Sequence, residues 1–361
     1  MTDADSQFER SRWPHFFAVV LACATFPLIW VGGLVTTYDA GMAVPDWPST
    51  YGYNMFLYPV STWVTGPWDL FIEHGHRLLG SLAGILTIAV NIAIWKYDRR
   101  RWMRWAGFAT LLLVISQGLL GGMRVRMSST DFARAHGVTG PLFFAATIVL
   151  CVLTSNYWTT MRHTESDSNI SKKSVIVGWL LFALVFFQLV LGAHLRHPNI
   201  DWSPALFRSV VVFHVIAAFI VFAQTIRVGV QSRKMQRLLR RPAWILVALV
   251  ACQVALGFAT WRAKYGWPSF IPVFAEAKAD QPYEIAVHNT LVGATVQNAS
   301  MSQAITVTGH VALGSLILAV CVCYCVRLSR AYALQPAKAA VTKTNSMDRA
   351  SSMTIVVGAV S

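Results

Sequence analysis

Apolar residues in this chain gather into eight long runs, at 15–37, 74–95, 104–124, 136–156, 174–194, 208–226, 243–262 and 304–326. A helix needs about 20 such residues to cross the hydrocarbon core of a bilayer, and each run approaches or exceeds that length. The pattern predicts an all-α polytopic membrane protein with eight transmembrane helices. The first run follows a polar stretch and others succeed it all along the chain, so a cleaved leader does not account for the apolar content.

The stretches between the runs alternate in charge. One set is basic: Arg10 and Arg12; Lys96, Arg99, Arg100, Arg101 and Arg104; Arg162, Lys172 and Lys173; Arg227, Arg233, Lys234, Arg237, Arg240 and Arg241; Arg327 and Arg330. The other set holds many of the acids: Asp39, Asp46, Asp69, Asp131, Asp201, Glu276, Asp280 and Glu284. Cytoplasmic loops carry the excess of Lys and Arg, which places both termini in the cytoplasm and the chain in the cell's inner (cytoplasmic) membrane. Two outer loops, 38–73 and 263–303, are long, and the second, with His288, is expected to form a lid.

Composition agrees with this reading. The chain is 55% hydrophobic and 13% charged, against about 25% charged for a soluble domain. Its net charge of +14 reflects topology rather than a phosphate-binding face. No nucleic acid is expected as a partner; membrane lipid is. The six cysteines all fall within apolar runs, so no disulfide framework is read.

A repeat runs through the helices. Gln117-x-x-Leu120-Gly121 recurs as Gln188-x-x-Leu191-Gly192 and Gln253-x-x-Leu256-Gly257, with a weaker echo in Leu28-x-x-Val31-Gly32. The even-numbered runs each open near the outer surface with a histidine: His76, His136, His214 and His310. Four residues on stands a small residue: Gly80, Gly140, Ala218 and Gly314. Helices 1–4 and 5–8 start on the same side, so two parallel-repeat four-helix bundles are expected.

A histidine in a membrane helix is costly and a functional candidate. Four at matching repeat positions point to metal ligation. A small residue at i+4 shares the imidazole's face and leaves room for a porphyrin, and two histidines from two helices can supply both axial ligands of one iron. The expected pairs are His76 with His136 and His214 with His310, with Arg77, Arg124, Arg196 and Arg262 available to haem propionates. No zinc-type ligand cluster is found.

The halves differ three residues before each histidine, where Glu73, Ala133, Val211 and Val307 stand. Only the first half carries an acid. Glu73 and His76 share a helical face if the second helix extends that far outward, and a carboxylate there can act as a base or nucleophile. The first half therefore reads as a reaction site and the second as a resident, electron-transferring haem. His74 turns away from His76 and is expected to be a solvated neighbour; His194 and His197 flank an outer turn; His15 and His163 lie on the cytoplasmic side.

Glu73-His-Gly-His76-Arg77 resembles the Glu-x-x-His-Arg motif of the haem A synthase family. The stretch from Gly32-Gly33 through Gly41-Met42-Ala43-Val44-Pro45-Asp46-Trp47-Pro48 is similar to that family's first helix end and outer loop. The resemblance covers about residues 15–330. It implies oxidation of the C8 methyl of haem O to a formyl group, giving haem A for terminal oxidase, by successive hydroxylation. It implies haem O as substrate between His76 and His136 with Glu73 essential, and haem b between His214 and His310. A haem O synthase and an electron-transfer partner are the protein partners it suggests. The chain departs from the family in lacking an outer-loop cysteine pair and in having Thr36-Thr37 where a basic residue often follows the Gly-Gly of helix 1.

The resulting division is a cytoplasmic segment at 1–14, an N-terminal half at 15–156 for the substrate haem, and a cytoplasmic linker at 157–173. A C-terminal half at 174–326 for haem b and a flexible cytoplasmic tail at 327–361 complete it. Two other functions stay open at this point: a di-haem membrane protein moving electrons without chemistry on haem, and a haem carrier.

Overall fold

A computed structural model of the chain describes residues 11–160, 170–198, 202–265 and 300–335. Among these, eight helices are long and apolar enough to cross a membrane: α1 (Trp13–Thr37), α2 (Trp68–Tyr97), α3 (Arg101–Met127), α4 (Thr130–Thr154), α5 (Lys172–Arg196), α6 (Pro204–Gln231), α7 (Arg237–Tyr265) and α8 (Met301–Ala333). The protein is an all-helical integral membrane protein.

Most helices overrun the apolar runs that announce them, because their ends are built from polar capping residues that hydropathy discounts. Side chains of Ser129, Ser171, Ser203 and Ser300 accept hydrogen bonds from the first turns of α4, α5, α6 and α8, which satisfies amides that have no partner within the helix. α2 gains most at its outer end. It starts at Trp68 behind Pro67, with Asp69 in its first turn where the helix dipole favours an acid. That extra turn and a half brings Glu73 into the helix.

Two large apolar cores form, with a small third cluster of Val35, Ala40 and Ile72. Ala18, Leu21, Ile94, Met103 and Leu150 join α1 to α4, while Leu181, Leu239, Leu246, Leu318 and Leu328 join α5, α7 and α8, with Val221 and Val228 of α6. α8 is the axis of the molecule: it packs on α1, α4, α5 and α7, and 56% of its apolar window is buried against 11% for α6. Ile85, Ile92, Trp105, Phe213 and Phe219 point outward, the apolar outer surface that lipid requires.

The loop after α1 is ordered by polar contacts. A tight turn at Tyr51 and Gly52, both at positive φ, closes the bridge between Thr50 and Tyr53. The two Asp46 carboxylate oxygens accept from the Tyr51 and Gly52 amides at 2.8 and 2.9 Å. A short helix, Val60–Val64, leads into α2. The 263–303 segment lies outside the described residues from 266 to 299, as do His288 and His163.

Candidate functional site

At the outer end of α2, Glu73 is 3% exposed and both of its oxygens are engaged. Oε1 accepts from Arg77 Nη2 at 2.9 Å, and Oε2 accepts from the Val44 amide at 2.8 Å. Arg77 also donates to three loop carbonyls: Val44 at 2.8 Å, Asp46 at 2.7 Å and Ser49 at 3.0 Å. The sequence suggests Arg77 for a haem propionate; in the structure its Nη1 and Nη2 atoms clamp the outer loop onto α2. Trp47 lies against Gly122 and the Arg124 guanidinium against Gly41, so closely that neither glycine has room for a Cβ. The loop thus caps the space above Glu73 from α2 to α3.

The four helix-opening histidines meet in pairs. His76 and His136 face each other with ring centres 6.3 Å apart and planes at 88°. His214 and His310 do the same at 6.4 Å and 71°. Two imidazole nitrogens bound to one metal from opposite sides, each at about 2 Å, put the ring centres about 6 Å apart. The spacing therefore suits a shared axial metal. The rings lie against bare backbone. A Cβ on Gly32 would fall 2.7 Å from His76 Cε1; on Gly121, Gly192 and Gly257 it would fall 3.3, 3.3 and 3.2 Å from Cε1 of His136, His214 and His310. His136 Nδ1 lies 3.2 Å from the Gln117 carbonyl; donating there leaves Nε2 with its lone pair free for a metal. The Nδ1 atoms of His76, His214 and His310 make no close hydrogen bond among the described residues, but their imidazoles face the backbone of Leu28, Gln188 and Gln253 as His136 faces that of Gln117.

Sequence reasoning saw the Gln-x-x-Leu-Gly repeat but assigned it no task. The glycines are the surfaces on which the imidazoles rest. The glutamines reach the histidine backbone: Gln188 and Gln253 each donate through Nε2 to the carbonyls of His214 and His310 at 2.9 Å. The small residues at i+4 acquire a second meaning here. A Cβ on Gly140 would stand 3.4 Å from the Gln117 side-chain amide, and one on Gly314 3.3 Å from Gln253 Nε2, so both glycines make room for a glutamine. Gly80 differs: a Cβ there would meet nothing within 4 Å.

His74 corrects the expectation of a solvated side chain. It is 1% exposed, packs against Tyr58 and Trp63, and faces the Thr50 hydroxyl at 3.3 Å. The outer loop closes over this face of α2, which helical geometry alone does not reveal. His194 stacks on Trp202. The carbonyl of His197, just past α5, accepts from Arg134 Nε at 2.7 Å; burial first, then Arg196, Arg124 and Arg134, push its imidazole down to about 3. His15 sits beside Thr154. Arg196 donates to the Gly33 carbonyl at 2.7 Å and to the Thr37 hydroxyl at 2.8 Å, bridging α5 to α1.

Fold and site together define a class: an eight-span helical membrane protein with two facing imidazole pairs and one buried acid beside the first. The family model described as cytochrome oxidase assembly protein (COX15-CtaA) matches residues 15–200. That is more than half of the chain, and the chain belongs to this family. Similar relatives include the heme A synthases of Shouchella clausii, 25% identical over 63% of this chain and 80% of that one, and of Bacillus licheniformis, 25% identical over 63% and 79%. The heme A synthase of a Caulobacter species is 24% identical over 75% of this chain and 93% of its own.

Proposed function

We propose that this chain is a haem A synthase that oxidises the C8 methyl of haem O to a formyl group. The observation that carries the reading is the asymmetry of the two imidazole pairs: buried Glu73 lies one turn from His76, and the second pair has Val211 and Val307 in that place. Family membership and the similarity to heme A synthases support it.

In this reading haem O is the substrate in the 15–156 half, ligated by His76 and His136. His214 and His310 would hold haem b in the 174–326 half, and it would supply one-electron transfer there. The halves are parallel repeats, both termini are cytoplasmic, and the haem sites face the outer side of the cytoplasmic membrane. With water as the source of oxygen, converting R–CH3 to R–CHO releases four protons and four electrons, so it needs a proton acceptor near the reacting edge. Glu73 Oε2 is that acceptor. Its present partner is a backbone amide, which a small loop movement releases. Arg77 keeps the carboxylate aligned, and the loop from Val44 to Ser49 excludes water. Arg124, against Gly41, is placed for a propionate. Haem O synthase is the natural supplier of substrate, and an electron-transfer partner takes the electrons.

The test is expression with haem O available, followed by haem extraction. The wild type yields hydroxylated and formyl haem, and Glu73→Ala yields haem O alone with both imidazole pairs still ligated. An electron carrier or a haem carrier would yield unmodified haem from the wild type as well.

A further inference from the structure

We infer that Gln117, Gln188 and Gln253 are positioning residues that hold three of the four imidazoles rigidly, and that His76, which has Leu28 in that place, is the axial ligand that lets go when haem is exchanged. The inference deepens the proposed function and rests on it for the haem in the first half.

The four histidine seats share one plan. An odd-numbered helix presents a glycine to the imidazole edge, and the residue four positions earlier faces the histidine's own turn. In three seats that residue is a glutamine. Gln188 and Gln253 donate to the histidine carbonyls at 2.9 Å. Gln117, with its amide nitrogen turned toward α4, donates to the His136 carbonyl at 3.3 Å and accepts from the Gly140 amide at 3.2 Å. Gly140 is the i+4 partner of His136, so this amide links both ends of the helical hydrogen bond that begins at the ligand. A carbonyl has two lone pairs, and the glutamine uses the one the helix leaves over. The histidine's Cα is thereby tied to the opposing helix, and ring position follows Cα position.

The fourth seat lacks the tie. Leu28 has no donor, and Gly80, the i+4 residue of His76, opens onto space where Gly140 and Gly314 meet a glutamine. His76 is thus held by its contact with Gly32, by the Leu28 backbone beside its imidazole and by α2 itself, without a side-chain donor to its carbonyl from the residue at 28. A resident haem gains from two fixed ligands. A substrate haem must enter as haem O and leave as haem A, and one ligand has to give way. The untied imidazole lies in the half that carries Glu73.

Carbon monoxide, added to the dithionite-reduced holoprotein, reads ligand release directly because it binds haem iron only where an axial histidine leaves. The wild type should show one CO-reactive haem and one inert haem in its Soret spectrum. Leu28→Gln should lower the CO-reactive fraction at least several-fold. Gln253→Met, which keeps the side-chain length and removes the donor, should make the second haem CO-reactive while its low-spin spectrum persists without CO. Should Leu28→Gln fail to accumulate, Gln253→Met decides alone. Two inert haems in the wild type, or an inert second haem in Gln253→Met, overturns the inference and leaves the proposed function standing. Absence of any haem on His76 and His136 overturns both.

Discussion

Glu73 occupies a position where a carboxylate is expensive to bury, and it is tolerated because one cation and one amide meet both of its oxygens. Removing only its proton-accepting ability should slow chemistry without dissolving the site. Glu73→Gln is expected to lower the rate of haem A formation about 10²- to 10⁴-fold, measured by chromatography of extracted haems, with the imidazole-ligated spectrum retained. Arg77→Ala is a different case, since it leaves the acid buried alone. Breaking such a pair costs about 3–5 kcal/mol, and the readout is a lower thermal midpoint in detergent. Arg77→Lys keeps the charge but not the fork that spans Glu73 and the Val44, Asp46 and Ser49 carbonyls, so it should restore stability only in part. Glu73 and the four histidines are legible from sequence because polar residues in apolar runs stand out. Gln188 and Gln253 also stand out, yet their targets are carbonyls on another helix, and a carbonyl has no letter in the sequence.

At the scale of elements, the outer loop decides the environment of the first site. Gly122 gives Trp47 its place on α3, with a Cβ position only 2.3 Å from Trp47 Cδ2. Gly122→Leu should lift the loop, cost about 1–3 kcal/mol by overpacking, and raise tryptophan exposure to an aqueous quencher. Asp46 ties the turn below it. Burial raises its carboxyl, but the Gly52 amide, with Ser49 and the Tyr51 amide, outweighs burial and holds it below the ordinary carboxylate range. A depressed acid stabilises the folded loop above its unfolded value, and the contribution is lost as pH falls through the lower folded value. Protease cleavage between residues 46 and 58 should therefore increase only under strongly acidic conditions, and Asp46→Asn should abolish that pH dependence. The loop's polar composition marks it as a loop; its contacts with α2 and α3 do not show in its letters, because those from Thr50 to His74 and from Gly41 to Arg124 join residues 24 and 83 positions apart.

Across the whole molecule, α8 joins the two cores by packing on both α1 and α4. Arg196 reaches from α5 to Gly33 and Thr37 of α1, and Thr37 meets Thr308 of α8, hydroxyl to hydroxyl, at 3.0 Å. Thr37 stands in the stretch where the resembled family often carries a basic residue, and Arg196 delivers its charge to that spot from another helix. Arg196→Ala should cost about 1.5–3 kcal/mol, the usual worth of hydrogen bonds from a charged donor. Thermal unfolding of the purified protein in detergent would register it as a lower midpoint.

The chain's sequence by itself determined the number of spans, the recurrence of the histidines and the solitary acid. A bilayer imposes a length and a hydropathy that any sequence must display openly, and a duplicated motif repeats the same residue types. The tertiary structure alone decided the rest: the 6.3 and 6.4 Å separations of the paired rings, the burial of His74 beneath a loop, and the engagement of both Glu73 oxygens. It also showed that glycines and glutamines on one helix seat the histidines of the next. Those features depend on helices approaching closely at particular rotations, and that approach is set by packing between residues remote in the chain rather than by the local pattern that makes each helix.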